Sequence, residues 1–310
     1  MIHFQFTKKG IYAMLYFSIG IVLSGQVPDT LWMYQIGDGI GEGSFTSVQR
    51  TTDGNWIAAG SDPNSGLLTK IDTNGNEIWS HTYDDTSYFS TLQVLPDGGY
   101  IAAGNKYSDN YSTRQVWLLR TDSDGIELWS RLSSFDAHLL PRILRASTNG
   151  GWMIAGNAIN DSSAYGRFIL ETDSEGNELW SNINWDKEHI RFQTVQPTTD
   201  GGWLFAGFGE GQGHLMQIDA LGNEIWNKSY GDTNVGSSSF RSLQPTAEGG
   251  WIVGGSKWDE FTSSTNAWLI KVDANGEEVW SNTYGDQDRD YINSIQPTIQ
   301  GGWLLAGRIR

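Results

Sequence analysis

The 310-residue sequence predicts an all-β chain assembled from one four-stranded unit used about six times. Three observations carry that reading. A phrase of Asp, a turn pair with Gly, an acidic residue and Trp recurs as "IDTNGNEIW" (71–79), "TDSDGIELW" (121–129), "TDSEGNELW" (172–180), "IDALGNEIW" (218–226) and "VDANGEEVW" (272–280). A second phrase interleaves with it: "DGNWIAAG" (53–60), "DGGYIAAG" (97–104), "NGGWMIAG" (149–156), "DGGWLFAG" (200–207), "EGGWIVGG" (248–255) and "QGGWLLAG" (300–307). Between the two lie apolar runs that alternate or extend for four to six residues, bounded by turn residues, with no sustained helical period.

Each repeat therefore parses into four strands, A to D. "INSIQPT" (292–298) is an A strand, "GWIVGGS" (250–256) a B strand, "WLIKVD" (268–273) a C strand and "EVWSNTYG" (278–285) a D strand. Four short strands in roughly fifty residues, repeated, is the pattern of a β-propeller blade. The sequence predicts about six blades, five of them complete. The sixth is expected to combine the last A and B strands with an N-terminal D strand around Trp32, which would hide sheet edges.

The quoted phrase is expected to be the C–D hairpin. Strand C ends at the Asp, an Asn-Gly type pair tolerates the positive φ of the turn, and strand D begins at the acidic residue. The Asp carboxylate can accept from backbone N–H groups two residues on. Trp79 and its copies supply flat apolar area between neighbouring blades. The spacing does not suit calcium: an EF-hand loop needs its Gly at position six and a closing Glu, and here Gly75 stands at position four.

Taken together, the Asp-Gly-Trp phrase and "SIQPTIQGGWLLAG" (294–307) resemble the tryptophan-motif propellers related to pyrroloquinoline-quinone repeats. More closely, they are similar to repeat propellers of unknown function in secreted bacterial proteins. The resemblance covers about residues 29–310 and implies a fold rather than an activity. Quinoproteins carry one more residue between Asp and Gly in the docking phrase, and their dehydrogenases an adjacent cysteine pair. This chain has no Cys, so no quinone cofactor, or any other, is expected. The sixth unit stops after strand B, which is compatible with truncation at the C-terminus of a longer protein.

Composition agrees with one large β domain. The chain has 38 Gly, 15 Trp and only seven Pro, without a linker-like run. Lys8 and Lys9 precede the apolar "GIYAMLYFSIGIVLS" (10–24) and the small residues Ser24 and Gly25, the three parts of a secretory signal. Residues 1–25 are read as that signal and 26–310 as a single propeller domain. The destination is the medium, the cell surface or the periplasm, with no membrane insertion once the signal is gone. Without Lys8 and Lys9, the 18 remaining basic residues face 36 acidic ones, a net charge of −18. Such a surface repels nucleic acid. In an oxidising compartment a chain without Cys must be held by packing alone.

Strand order places the A–B and C–D turns on one side of the sheets and the D–A and B–C loops on the other. The first set is uniform and the second varies, and variable loops on a constant scaffold are where recognition resides. The expected ligand anchors are Tyr107, Tyr111, Trp185, Trp258, Phe261 and Tyr291, rigid amphipathic rings beside Asp, Asn and Ser. No nucleophile motif, phosphate loop or zinc spacing appears, so no catalytic and no metal residues are assigned. The Asp286, Asp288, Asp290 alternation reads as a solvated acidic loop. The repeated polar position Gln49, Gln93, Arg145, Gln196, Gln244 and Gln296 reads as a strand-A side chain bonded to the adjacent blade. The function expected is that of a monomeric, non-catalytic binding propeller for an extracellular protein or glycan. The alternative is an extracellular carbohydrate-active hydrolase, for which Asp186, Glu188, Arg191, Arg241 and Arg289 provide raw material.

Overall fold

A computed structural model describes residues 14–16, 33–35, 43–108, 113–135, 137–160, 165–185, 190–232, 236–260, 263–299 and 301–308. Every element among them is a β-strand. A short pair is made by β1 (Met14–Tyr16) and β2 (Met33–Gln35). The first full sheet holds β3 (Ser44–Arg50), β4 (Trp56–Asp62), β5 (Ser65–Ile71) and β6 (Glu77–Tyr83); the second holds β7 (Ser87–Val94), β8 (Tyr100–Tyr107), β9 (Arg114–Thr121) and β10 (Glu127–Leu132). The third holds β11 (His138–Ala146), β12 (Trp152–Ile159), β13 (Tyr165–Thr172) and β14 (Glu178–Asn184). The fourth holds β15 (Arg191–Pro197), β16 (Trp203–Gly209), β17 (Gln212–Ile218) and β18 (Glu224–Tyr230). The fifth holds β19 (Ser238–Pro245), β20 (Trp251–Asp259), β21 (Ser264–Val272) and β22 (Glu278–Tyr284), and the last pair is β23 (Tyr291–Pro297) with β24 (Trp303–Arg308). Neighbours in sequence are neighbours in each sheet, so each four-stranded sheet is an A–B–C–D meander, the blade of a β-propeller. Two compact units emerge: Met1–Arg145 with Glu175–Asn177, and Ala146–Ser174 with Glu178–Arg310.

Burial follows position within the meander. The B and C strands are apolar on both faces and almost wholly buried, as in Trp-Leu-Phe-Ala (203–206), each at 0–1% exposure. The D strands alternate toward solvent. In the first unit Ile57, Leu68, Phe89, Leu92, Tyr100, Trp117 and Leu119 form one apolar cluster. In the second, Leu204, Leu215, Phe240, Leu243, Trp251, Val253 and Trp268 do the same. Phe89 stacks on Trp117 at 4.8 Å, and Phe240 on Trp268 at the same distance, so the repeat reproduces its core ring for ring.

The C–D hairpins have the expected chemistry with one refinement. Asp72 Oδ1 accepts from the N–H groups of Asn74 and Asn76, both at 2.8 Å, and Asp219 and Asp273 do the same in their turns. Asp72 N–H in turn donates to Asn76 O, and strand register slips between Lys70 and Ile71. The loop is thus a type I turn closed by a left-handed Gly and a bulge, rather than a two-residue turn. Gly75 has φ +87° and its copies lie between +76° and +83°. The Gly also seats the Trp of the preceding repeat: a Cβ on Gly125 would lie 2.8 Å from the Trp79 ring, and one on Gly222 2.6 Å from Trp180. Trp226 stands the same way over Gly276. Tyr83 and Tyr230 donate their hydroxyls to the Gly125 and Gly276 carbonyls, at 2.6 and 2.5 Å. Burial, first of all, pushes both phenols well above the ordinary tyrosine range.

The repeated strand-A glutamines are structural. Gln49 Nε2 donates to Leu92 O at 2.8 Å and its Oε1 accepts from Val94 N–H, tying one A strand to the next. Gln93, Gln196 and Gln244 donate to the carbonyls of Leu144, Leu243 and Ile295.

The closure expected from the N-terminus is not the pairing observed. Among the described residues β2 pairs antiparallel with β1, and β23 with β24. Residues 14–16 belong to the segment read as the signal, and their strand supplies hydrogen-bond partners to Met33–Gln35. Trp32 and most of residues 1–25 lie outside the described residues. In the last pair, Leu304 is 63% and Leu305 37% exposed, where their counterparts Leu204 and Phe205 are at 0%, because no C strand lies beside β24 among the described residues.

Candidate functional site

The two ends of each sheet differ in chemistry. At the A–B and C–D end, a strand-C residue reaches back to the A–B turn: Lys70 pairs with Asp53 at 2.8 Å, Arg120 with Asp97 and Lys271 with Glu248 at 3.2 Å. The hydrogen bond from Lys70 holds the Asp53 carboxyl well below the usual carboxylate range. In the third sheet the charges are exchanged. Asn149 replaces the acid and donates to a buried Glu171 at 3.2 Å, with Ser147 Oγ donating as well. Burial raises the Glu171 carboxyl, and these donors offset only part of that. This end is architecture.

At the other end, every A strand with a resolved register carries a β-bulge in the same place. Register slips between Phe45 and Ser47, Phe89 and Thr91, Phe192 and Thr194, Phe240 and Ser242, and Ile292 and Ser294. The extra residues are Thr46, Ser90, Gln193, Arg241 and Asn293. The bulge pushes strand A against strand B, where only Gly fits. A Cβ on Gly60, Gly104, Gly207, Gly255 or Gly307 would fall 1.8–2.0 Å from a strand-A carbonyl oxygen. That explains the final Gly of the "WIAAG" phrase. A bulge also re-aims the extra side chain, so five polar residues leave the ladder at one register position.

In the second unit, three of them line one open pocket of about 1030 Å³: Gln193, Arg241 and Asn293. With them stand Trp258, Tyr291, Arg289 and Arg308, and a row of serines of which Ser237 is exposed and Ser238 and Ser256 are buried. Arg241 stacks on the Tyr291 ring at 4.6 Å and donates to Asn293 Oδ1 at 2.9 Å. Tyr291 faces Arg308 across the sheet. The Arg308 Nε is buried and has no hydrogen-bond partner among the described residues. Arg289 is carried by the 285–290 loop. Asp290, fully buried, donates its N–H to Thr265 O at 2.6 Å and accepts from Asp286 N–H through its carboxylate; Ser264 Oγ donates to Asp288 O at 2.5 Å. The acidic triplet therefore anchors a loop, with Asp286 and Asp288 exposed and Asp290 inside. None of the three arginines makes an ion pair among the described residues, and no Asp or Glu is among the residues that line the pocket.

The first unit has a smaller pocket, about 480 Å³, lined by Pro63, Asn64, Asp85, Tyr88, Tyr107 and Arg114 among others. Arg114 lies over the Tyr107 ring at 4.8 Å.

Of the anchors expected from the sequence, Trp258 and Tyr291 meet in one pocket and Tyr107 lines the other. Trp185 is 40% exposed and lies over Gly166, in neither lining. Tyr111 and Phe261 lie outside the described residues, as do Asp186 and Glu188. Arg241 and Arg289 come together, while Arg191 lies over Tyr165 at 5.6 Å. Sequence reasoning passed over Gln193, Asn293 and Arg308. The first two had a signal: ten residues before each B-strand aromatic stands a polar residue, Thr46, Ser90, Arg142, Gln193, Arg241 or Asn293.

No family model and no curated protein matches the chain. Among solved structures, a protein from Lactobacillus plantarum aligns over 96% of each chain with TM-score 0.57 and 11% identity. A protein of unknown function from Bacteroides caccae aligns over 88% of this chain and 93% of its own, with TM-score 0.49 and 16% identity. The WD40 domain of Neurospora crassa Pan2 covers 85% and 86%, with TM-score 0.47 and 11% identity. The first similarity is one of fold alone.

Proposed function

We propose that this chain is an exported, non-catalytic binding propeller that recognises an extracellular protein or glycan through the variable-loop end of its second unit. The observation that carries the reading is the pocket around Trp258 and Tyr291. It combines partly exposed rings with Ser, Gln, Asn and Arg donors, and among the described residues no carboxylate lines it. Ring faces supply contact area at low entropic cost, and short polar side chains supply direction. Hydrolysis of a glycosidic bond, the competing reading, requires an acid and a second carboxylate on opposite sides of the bond.

The other parts of the proposal rest on the sequence. The Lys8–Lys9 and 10–24 segments support export, and the mature chain would begin at Gly25 or Gln26 as a monomer. Its net negative charge disfavours nucleic acid as a partner.

The test is retention of purified 26–310 on arrays of extracellular glycans and of cell-surface proteins, compared with the Trp258→Ala/Tyr291→Ala double variant. Binding by the parent and its loss in a folded double variant is the expected result. Turnover of any arrayed glycan that survives repurification would overturn the non-catalytic reading. Equal retention of the double variant would move the site elsewhere.

A further inference from the structure

The three arginines of the second-unit pocket are an electrostatic anomaly. The chain carries 36 acidic against 20 basic residues, yet Arg241, Arg289 and Arg308 line one cavity with no carboxylate in its lining among the described residues. Like charges gathered on one surface repel, and a guanidinium whose Nε is shut away from water loses its hydration as well. Elsewhere Lys70 pairs with Asp53, Arg120 with Asp97 and Lys106 with Asp84, whereas Arg241 and Arg289 stand exposed at the cavity with no ion pair among the described residues. The scaffold supports the pocket cluster instead by packing. Arg241 lies flat on Tyr291, Arg308 is its cross-strand neighbour, and Arg289 is delivered by a loop pinned at Asp290. A ligand that brings its own negative charge completes this arrangement.

We propose that the pocket binds an acidic glycan, a sugar chain bearing carboxylate or sulfate groups, and this rests on the binding reading of the pocket given above. The planar guanidinium fork matches both oxyanions with paired N–H donors. Around it, the exposed Ser237, Gln193 and Asn293 can both donate to and accept from sugar hydroxyls, and the Trp258 ring offers a flat face. An acidic peptide shares the charge, and the hydroxyl and amide groups of Ser237, Gln193 and Asn293 are what favour a sugar chain over it.

The proposal is tested by calorimetric titration of the purified 26–310 chain with four probes. These are a polygalacturonate oligomer, a sulfated dextran oligomer, neutral dextran of equal length and a poly-glutamate peptide. Saturable binding of one or both acidic glycans is expected, with neutral dextran and poly-glutamate at least about tenfold weaker. The carboxylate and sulfate arms identify which anion is preferred. Arg241→Gln and Arg289→Gln are each expected to weaken that binding about tenfold or more, and Arg289→Lys less than Arg289→Gln, with thermal unfolding unchanged for the Arg289 variants. Arg131→Gln, on the opposite end of the first unit, should bind as the parent does. Equal binding of neutral dextran, abolished by Trp258→Ala, would overturn the charge assignment and leave the binding function standing. Preferential binding of poly-glutamate would replace the glycan by an acidic peptide. Failure of every probe with a folded protein would overturn the acidic-glycan assignment, while retention of another partner on the arrays described above would keep the binding reading.

Discussion

In the first unit, Tyr107 faces Arg114 across the sheet and lies under its guanidinium, in a pocket that also holds Asp85. In the second, Tyr291 faces Arg308 and lies under Arg241, in a cavity about twice as large that is lined by three arginines and, among the described residues, no acid. Tyr107 stands on a B strand and Tyr291 on an A strand, but in both sheets the A strand carries the same bulge against the same B-strand glycine. What separates them is the identity of residues outside the hydrogen-bond ladder. The comparison teaches that the repeat fixes the scaffold and leaves the chemistry of the loop end open.

The largest effect should come from breaking what the two regions share. Gly104→Ala and Gly255→Ala each put a Cβ about 1.8–1.9 Å from a backbone oxygen that the bulge holds in place. Both variants should lose about 4 kcal/mol or more, or fail to fold, measured by urea unfolding. Clearly unequal costs would show that the scaffolds are not equivalent. Next is Trp226→Ala, which removes the ring seated over Gly276 and should cost about 3 kcal/mol. Gln244→Ala, which strips one inter-strand bond and leaves the Ile295 carbonyl without its side-chain donor, should cost about 1–2 kcal/mol.

A smaller effect separates the units by pH. Asp53 is depressed when folded, so its contribution is present above the unfolded carboxylate pKa and is lost as pH falls toward the folded value. Glu171 is raised when folded, so its contribution has the opposite sign: it is most favourable below the unfolded value and is lost as pH rises through the folded one. Asp53→Asn should flatten the acid limb of a stability–pH curve, and Glu171→Gln the decline on the other side of pH 4–5, roughly the unfolded Glu range. The smallest effect on stability belongs to Arg289→Gln, within about 0.5 kcal/mol. A large thermal shift there would make Arg289 part of the scaffold and remove the distinction drawn above.

Much of this was legible in the sequence, and the reason is periodicity. Asp72, Gly75 and Trp79 recur at fixed spacing because each solves a local problem within one turn or between adjacent repeats. Gln49 and its copies were legible for the same reason. The pocket was less so. Trp258 and Tyr291 could be named as exposed rings, but nothing in their spacing says that they meet while Trp185 stands apart. Arg308 gave no signal, since its position matters only through its cross-strand partner. The bulge hid in a polar column that looks like ordinary strand alternation until the register is known. The closure around Trp32 was inferred from a copy count, and hydrogen-bond pairing depends on which strands are present rather than on how many copies the sequence shows.

The bulge has a consequence for how such a gene can change over time. Because the extra residue of each A strand takes no place in the pairing register, a codon change at 46, 90, 193, 241 or 293 alters what the loop end presents without shifting any strand. Duplication then multiplies the positions that vary independently while the glycine opposite each stays the same. Repeats of this kind can diverge in loop-end chemistry while remaining alike in build, so a comparison restricted to the bulge column separates them better than one of shape.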